Sequence, residues 1–364
     1  MELTSITAGL EEIYEKLVRE ERLTKEDGLK LLATVNIPGL AYLANEKRRQ
    51  TVGDQVYFNN NAHINYSNVC KVRCGMCAFA KDPGEKGAYT MTVDQVVEKA
   101  EHFAALGATE IHMVGGLHPE LPFSYYLEML QKVKARVPQV SLKAFTAAEY
   151  DYFAQLEGVP VEEILKTLKE AGVSFVTGGG AENFSQRVRD IICPGKITAQ
   201  RWLEVHRAAH KLGIPTNANM LFGIIETDEE LIEHLLTLRR LQDETGGFYA
   251  LIPTPFHPRH TKFEDIPQAT ALRTLKVIAV ARLILDNFRY IKAYWVSAGL
   301  QVAQLALAFG ANDLDGVVRE EKIYHTAGAT SPQMQTEGEL VRIIREAGLV
   351  PVERDTYYNV LKSC

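Results

Sequence analysis

Positive charge is not in excess in this chain: 40 Lys and Arg stand against 46 Asp and Glu, a net charge of -6. That excludes the basic footprint needed to hold nucleic acid or an acidic membrane. Apolar runs of membrane-spanning length are missing, and the start, MELTSITAGLEEIYEKL, has no apolar signal core. The expectation is a soluble, cytoplasmic protein with no membrane or nucleic-acid partner. Cysteine is scarce, five in all and an odd number, which argues against a disulfide framework. In a reducing compartment, clustered cysteines are ligands or catalytic groups more often than disulfides. Internal repeats and low-complexity linkers are missing too. The chain has 364 residues, 46% of them hydrophobic, enough for one large domain or two smaller ones.

Three of the five cysteines, Cys70, Cys74 and Cys77, fall together in the run NYSNVCKVRCGMCAFA. The spacing C-x3-C-x2-C offers three thiolates on one loop and no evident fourth. A closed zinc site wants four ligands, and so does an iron–sulfur cube held entirely by protein. Three thiolates leave one coordination position open for chemistry. A zinc site completed by a distant histidine is the alternative. Cys193 and Cys364 have no partner in spacing and read as structural or incidental.

Residues 1–50 read as a helical extension. Ile6, Leu10, Ile13 and Leu17 share a helical face, and Thr24 suits an N-cap. From about residue 60 short apolar or β-branched runs alternate with amphipathic stretches. The runs are 63–69, 109–114, 140–145, 173–178, 215–222, 247–252 and 289–295, with a weaker eighth at 312–318. Helices are expected near 92 (Thr92 with Gln95 as a capping box), then at 122–136, 161–171, 198–212, from Thr227, at 268–287 and at 298–309. Strands alternating with helices imply a parallel sheet. This many units predicts an α/β fold of the (βα)8 TIM-barrel type over 51–318. A C-terminal segment, 319–364, adds a helix at 336–347 and the run LVPVERDT.

In such barrels the active site lies at the carboxyl ends of the strands. The cysteine loop follows the first strand. Gly115 and Gly116 follow the second, and glycine permits close backbone approach. Lys143, Thr146 and Glu149 follow the third. The fourth ends in TGGGAENF, where Glu182 could accept hydrogen bonds from ribose hydroxyls. No Gly-Lys-Ser/Thr follows, so this is not a phosphate loop. Asn217 and Asn219 alternate on the fifth strand and share one face; buried amides need partners. His257 follows the sixth strand, and Lys292 and Trp295 lie on or near the seventh. His206 and His210 are spaced like a metal-binding pair, but on an outer helix they read as packing or surface residues.

The cysteine loop after the first strand resembles that of the radical S-adenosylmethionine enzymes. The resemblance implies a [4Fe–4S] cluster on Cys70, Cys74 and Cys77, whose open iron takes the amino and carboxylate groups of S-adenosylmethionine. It implies that Gly115 and Gly116 meet the methionine amino group. Phe79 would pack on the adenine in place of the aromatic residue that relatives often carry where Met76 stands. Relatives often have a histidine at the place of Ile224, so that role is not carried over. The segments MVGGLHPELPFSYYLEML, GGGAENFSQRVRDIICPGK and KAYWVSAGLQVAQLALAFGANDLDGVVREEKIYHTAGA resemble the aminofutalosine synthase branch of the menaquinone pathway. That branch implies addition of the 5′-deoxyadenosyl radical to 3-[(1-carboxyvinyl)oxy]benzoate, with rearrangement and decarboxylation, to give 6-amino-6-deoxyfutalosine. A flavodoxin or ferredoxin would supply the electron. An aromatic dicarboxylate substrate implies a cation at the rim, for which Lys143, His257, Lys292 and Arg319 are candidates. The cyclic dehypoxanthine futalosine and deazaflavin synthases are the neighbouring alternatives. Outside the family, a zinc or Fe–S binding protein without turnover is the other reading.

Overall fold

The computed structural model describes residues 6–364. Of the expected helical extension, residues 1–5 lie outside the described residues. The rest forms helices Glu11–Val18, Lys25–Ala33 and Ile37–Val52. Leu10 and Ile13 are buried, and Thr24 caps the second helix with a reciprocal bond from Asp27. Gly28 lets that helix close on the barrel: a Cβ there would stand 2.8 Å from Ile232 and 3.2 Å from Ile284.

Strand β1 (Gln55–Asn59) is followed, after a break at Asn60, by β2 (Asn61–Ile64). Then come β3 (Glu110–Met113), β4 (Ser141–Ala144), β5 (Val173–Phe175), β6 (Thr216–Phe222), β7 (Phe248–Pro255), β8 (Tyr290–Ile291) and β9 (Asp313–Gly316). Parallel ladders join β2-β3-β4-β5 and β6-β7-β8. Single bridges, Val176–Thr216, Lys292–Asp313 and Ala62–Arg319, close these into a ring of eight parallel strands. This is the expected barrel, and β9 is its eighth strand.

Four features depart from the expected elements. β1 is a strand that the sequence reading did not anticipate. It pairs with β9 and with β10 (Val350–Arg354), and β11 (Val360–Ser363) pairs antiparallel to β10. The run LVPVERDT therefore extends the sheet. Helices Ala147–Glu157 and Gln186–Ile192 were also not anticipated. Trp295 leaves the seventh strand: β8 stops at Ile291, and Trp295 begins a short helix to Ala298. The helix expected at 298–309 is broken by Gly299, whose φ of +83° interrupts it before Leu300–Ala306.

The register sets the layers inside the ring. His63 pairs with His112, and His112 with Lys143, so these three lie on one rung across β2, β3 and β4. Side chains alternate across a strand, so a shared rung places them on one face.

Candidate functional site

The loop after β2 carries the three cysteines on a fixed backbone. Cys70 N–H donates to the Lys81 carbonyl and Cys77 N–H to that of Cys74, both at 3.0 Å. Met76 N–H donates to the Ile192 carbonyl at 3.2 Å, tying the loop to the helix Gln186–Ile192. Arg73 takes a left-handed φ of +51°, an unusual conformation that is often found at functional sites. All three thiols line a cavity of about 320 Å³, within the range of ligand sites. Among the described residues no three side chains converge on a single metal ion. Three thiols on one loop are a donor set that a [4Fe–4S] cluster with one open iron would fit. Burial pushes the Cys74 thiol up to about 12 and the Cys77 thiol up as well, with Lys196 opposing both. Thiolates here need a cation beside them.

Gly115 and Gly116 form the wall next to the loop. A Cβ on Gly116 would stand 2.1 Å from the Val69 carbonyl oxygen and 2.9 Å from Cys70 Cβ; one on Gly115 would stand 2.6 Å from the Tyr66 ring. Their N–H groups are occupied, Gly115 donating to Glu149 at 3.1 Å and Gly116 to the Ser67 carbonyl at 2.9 Å. What the pair can offer a ligand is carbonyl oxygen, the partner an ammonium group needs. Glu149 is a buried brace: it closes the capping box with Thr146 and accepts from Tyr66 and Gly115.

Glu182 is buried, at φ +47°, and pairs with Lys196 at 2.5 Å. Burial works against the Lys196 charge, but Glu182, Cys74 and Cys193 outweigh it and raise the pKa. Cys193 packs with Cys74, Met76, Ile224 and Phe263, so it is structural but adjoins the site. Asn217 and Asn219 line the same cavity, and each leaves a buried Oδ1 without a protein partner. Such orphaned acceptors mark where a ligand donor fits. Phe79 lines the cavity and meets Tyr89 edge-on.

The four cation candidates separate. Lys143 lines the cavity but is bound to Glu110 at 2.8 Å, and burial lowers its pKa. His257 lines it and donates Nε2–H to the Ser297 carbonyl at 2.8 Å when that nitrogen carries the proton. Lys292 lies behind the wall, bound to Asp315. Arg319 does not line the cavity; its guanidinium bonds Asn60 and the Leu106 carbonyl, at the amino ends of the strands. His206 and His210 both bond the Thr216 hydroxyl and serve packing.

The sequence reading did not single out His63, His112, Lys196, Tyr294, Glu321 or Tyr324, all of which line the cavity. The alternation used for Asn217 and Asn219 also marks Asn61 and His63, and Glu110 and His112. Lys196 and Glu321 sit in loops and give no periodic signal.

The chain matches the family model described as Radical SAM superfamily over residues 64–238 and the CofH/MqnC C-terminal region over 245–364. It is 46% identical over 354 residues to the aminodeoxyfutalosine synthase of Thermus thermophilus, covering 96% of this chain and 95% of that one. It is 41% identical over 327 residues to a 5-amino-6-(D-ribitylamino)uracil–L-tyrosine 4-hydroxyphenyl transferase of Methanopyrus kandleri, covering 88% of each. Among solved structures, methylornithine synthase (PylB) superposes with a TM-score of 0.74 at 19% identity, covering 93% of this chain and 96% of that one. That likeness concerns the fold.

Proposed function

Since this chain belongs to the radical S-adenosylmethionine superfamily, in the branch with the CofH/MqnC C-terminal region, we propose that it is an aminodeoxyfutalosine synthase. The reaction transfers the 5′-deoxyadenosyl group to the vinyl carbon of 3-[(1-carboxyvinyl)oxy]benzoate. Rearrangement and loss of carbon dioxide then give 6-amino-6-deoxyfutalosine. The observation that carries this reading is the 46% identity to the Thermus synthase along almost all of both chains. It exceeds the 41% over a shorter span to the tyrosine-using transferase.

When bound, a [4Fe–4S] cluster and S-adenosylmethionine supply the radical chemistry, while the protein binds, orients and excludes water. Cys70, Cys74 and Cys77 would hold the cluster. The Gly115 and Gly116 carbonyls suit the methionine ammonium, and Glu182, fixed by Lys196, suits the ribose hydroxyls. Asn217 and Asn219 each bring an unused acceptor, and Phe79 an apolar face for the adenine. Buried walls keep the reacting carbon from water and stray hydrogen donors. Holding the two carbons in near-attack contact could contribute up to about 7–11 kcal/mol of the barrier. A flavodoxin or ferredoxin is the proposed electron source.

The test is mass spectrometry of the product formed from the reconstituted, reduced enzyme with S-adenosylmethionine and the enolpyruvyl benzoate ether. An adenosine adduct lacking one carbon dioxide is expected. Free 5′-deoxyadenosine with unchanged ether, and turnover of tyrosine with the ribityl uracil instead, would overturn the reading.

A further inference from the structure

We propose that the stacked pair His63 and His112 is the carboxylate-binding subsite of the cavity, receiving one carboxylate of the substrate together with one proton. The proposal rests on the reading of the substrate as an aromatic dicarboxylate.

The imidazoles stand on one rung of β2 and β3, with ring centroids 4.6 Å apart and planes 27° from parallel. Both line the cavity, and His63 is 7% exposed with Nε2 buried and without a protein partner. The fixed cations of the lining are already committed: Lys143 to Glu110 and Lys196 to Glu182. Of the three lining histidines, His257 has its Nε2 bonded to the Ser297 carbonyl. Among the described lining residues, the stacked pair is therefore what remains to meet an incoming negative charge.

The charged groups facing the pair balance one another. Glu110 is held by Lys143, and Asp315 by Lys292. Glu321 accepts from the N–H groups of Ile323 and Tyr324 and pairs with His325. An added carboxylate thus needs a charge of its own. Burial lowers the pKa of both rings in the absence of an anion; Lys143 adds to this for both and His63 for His112, against the raising effect of Glu110 and Asp315 on both and of Glu321 on His63. Two rings in contact share at most one proton, which is what one carboxylate neutralises. Binding should therefore be linked to proton uptake.

The experiment is calorimetric titration of the reconstituted enzyme with 3-hydroxybenzoate near neutral pH, in two buffers of different ionisation enthalpy. Wild type should take up about one proton per carboxylate bound. His63→Gln and His112→Gln should weaken binding at least about tenfold and abolish the uptake. Substrate-free reductive cleavage of S-adenosylmethionine should be preserved in both variants, which shows that the fold and the cluster survive. With the enolpyruvyl ether, KM should rise while kcat changes little, and the rise of KM with pH should flatten. Wild-type affinity and proton uptake in both variants would overturn the inference, leaving the stack as packing. If wild type binds 3-hydroxybenzoate as described but makes no adduct, the proposed reaction fails and the subsite stands. If the adduct forms and the variants are unaffected, the subsite fails and the reaction stands.

Discussion

At Gly116 the backbone leaves no room for even a methyl group. A Cβ would meet the Val69 carbonyl oxygen at 2.1 Å, and that residue precedes the first cysteine of the loop. Gly116→Ala must therefore displace backbone, not a flexible side-chain end. Overpacking of this kind costs about 1–3 kcal/mol. The expected outcome is a folded protein with lower thermal stability that binds markedly less iron per chain after reconstitution; wild-type iron content would show that the loop can yield. Gly116 was legible in the sequence because it stands beside Gly115 at a strand end. Glu182 was legible for a similar reason, in a glycine-rich turn. Lys196 was not, because its meaning depends on the fold bringing it back onto Glu182 and Cys74, fourteen residues and a helix away in the first case. His63 and His112 were within reach of the alternation argument that found Asn217 and Asn219.

Helix starts were the most readable elements, because a capping box is local chemistry. Thr92 closes the capping box with Gln95 that its spacing suggests, and Thr24 and Thr227, read as a cap and a helix start, close boxes with Asp27 and Glu230. The box at Thr227 also serves the site. Glu230 accepts from Ser185 at 2.6 Å and from Arg187 at 2.5 Å, fixing the start of the helix Gln186–Ile192, whose end holds Met76 of the cysteine loop. Thr227→Ala should destabilise the protein by about 1 kcal/mol, the usual loss of a cap. Glu230→Ala should cost more and also lower cluster occupancy, because it releases Arg187 and Ser185 as well. Urea unfolding and iron analysis on both variants check this; equal iron content in the two would separate the helix start from the loop. The helix Ala147–Glu157 escaped reading for the opposite reason. It is buried on nearly every side, from Ala147 through Ala154, so no apolar stripe distinguishes it. β1 escaped because its partners, β9 and β10, come from residues beyond 310, and pairing that distant leaves no local mark.

At the β8–β9 seam the ring is joined by a single backbone bridge and by buried charge. β8 reaches β9 through the single bridge Lys292–Asp313. Around it Lys292 binds Asp315, Arg354 from β10 binds Asp313 at 2.9 Å, and Lys143 binds Glu110 at 2.8 Å. Of these pairs Arg354–Asp313 joins the C-terminal strand β10 to the barrel, Lys292–Asp315 links the end of β8 to β9, and Lys143–Glu110 links β4 to β3. Burial alone would raise the Glu110 pKa, but Lys143, Arg354 and Lys292 overcome it and hold it at about 2, below its ordinary 4.5. Asp315 is depressed in the same way by Lys292 and Lys143. A depressed carboxylate stabilises the fold above its unfolded pKa, and that contribution is lost as pH falls through the folded value. For Glu110 the amount at neutral pH is on the order of 3 kcal/mol. The protein should therefore lose stability steeply between about pH 5 and pH 2. Replacing Glu110 alone would strand the Lys143 charge, so the informative variant is the double substitution Glu110→Gln with Lys143→Met. Breaking a buried pair one-sidedly costs about 3–5 kcal/mol, whereas removing both partners can be nearly neutral. Urea midpoints measured across the acid range should show a shallower decline in the double variant, by the uptake of about one proton on unfolding. An unchanged acid slope would mean that the pair does not titrate with unfolding, and that β3 and β4 are held together by their ladder and packing instead.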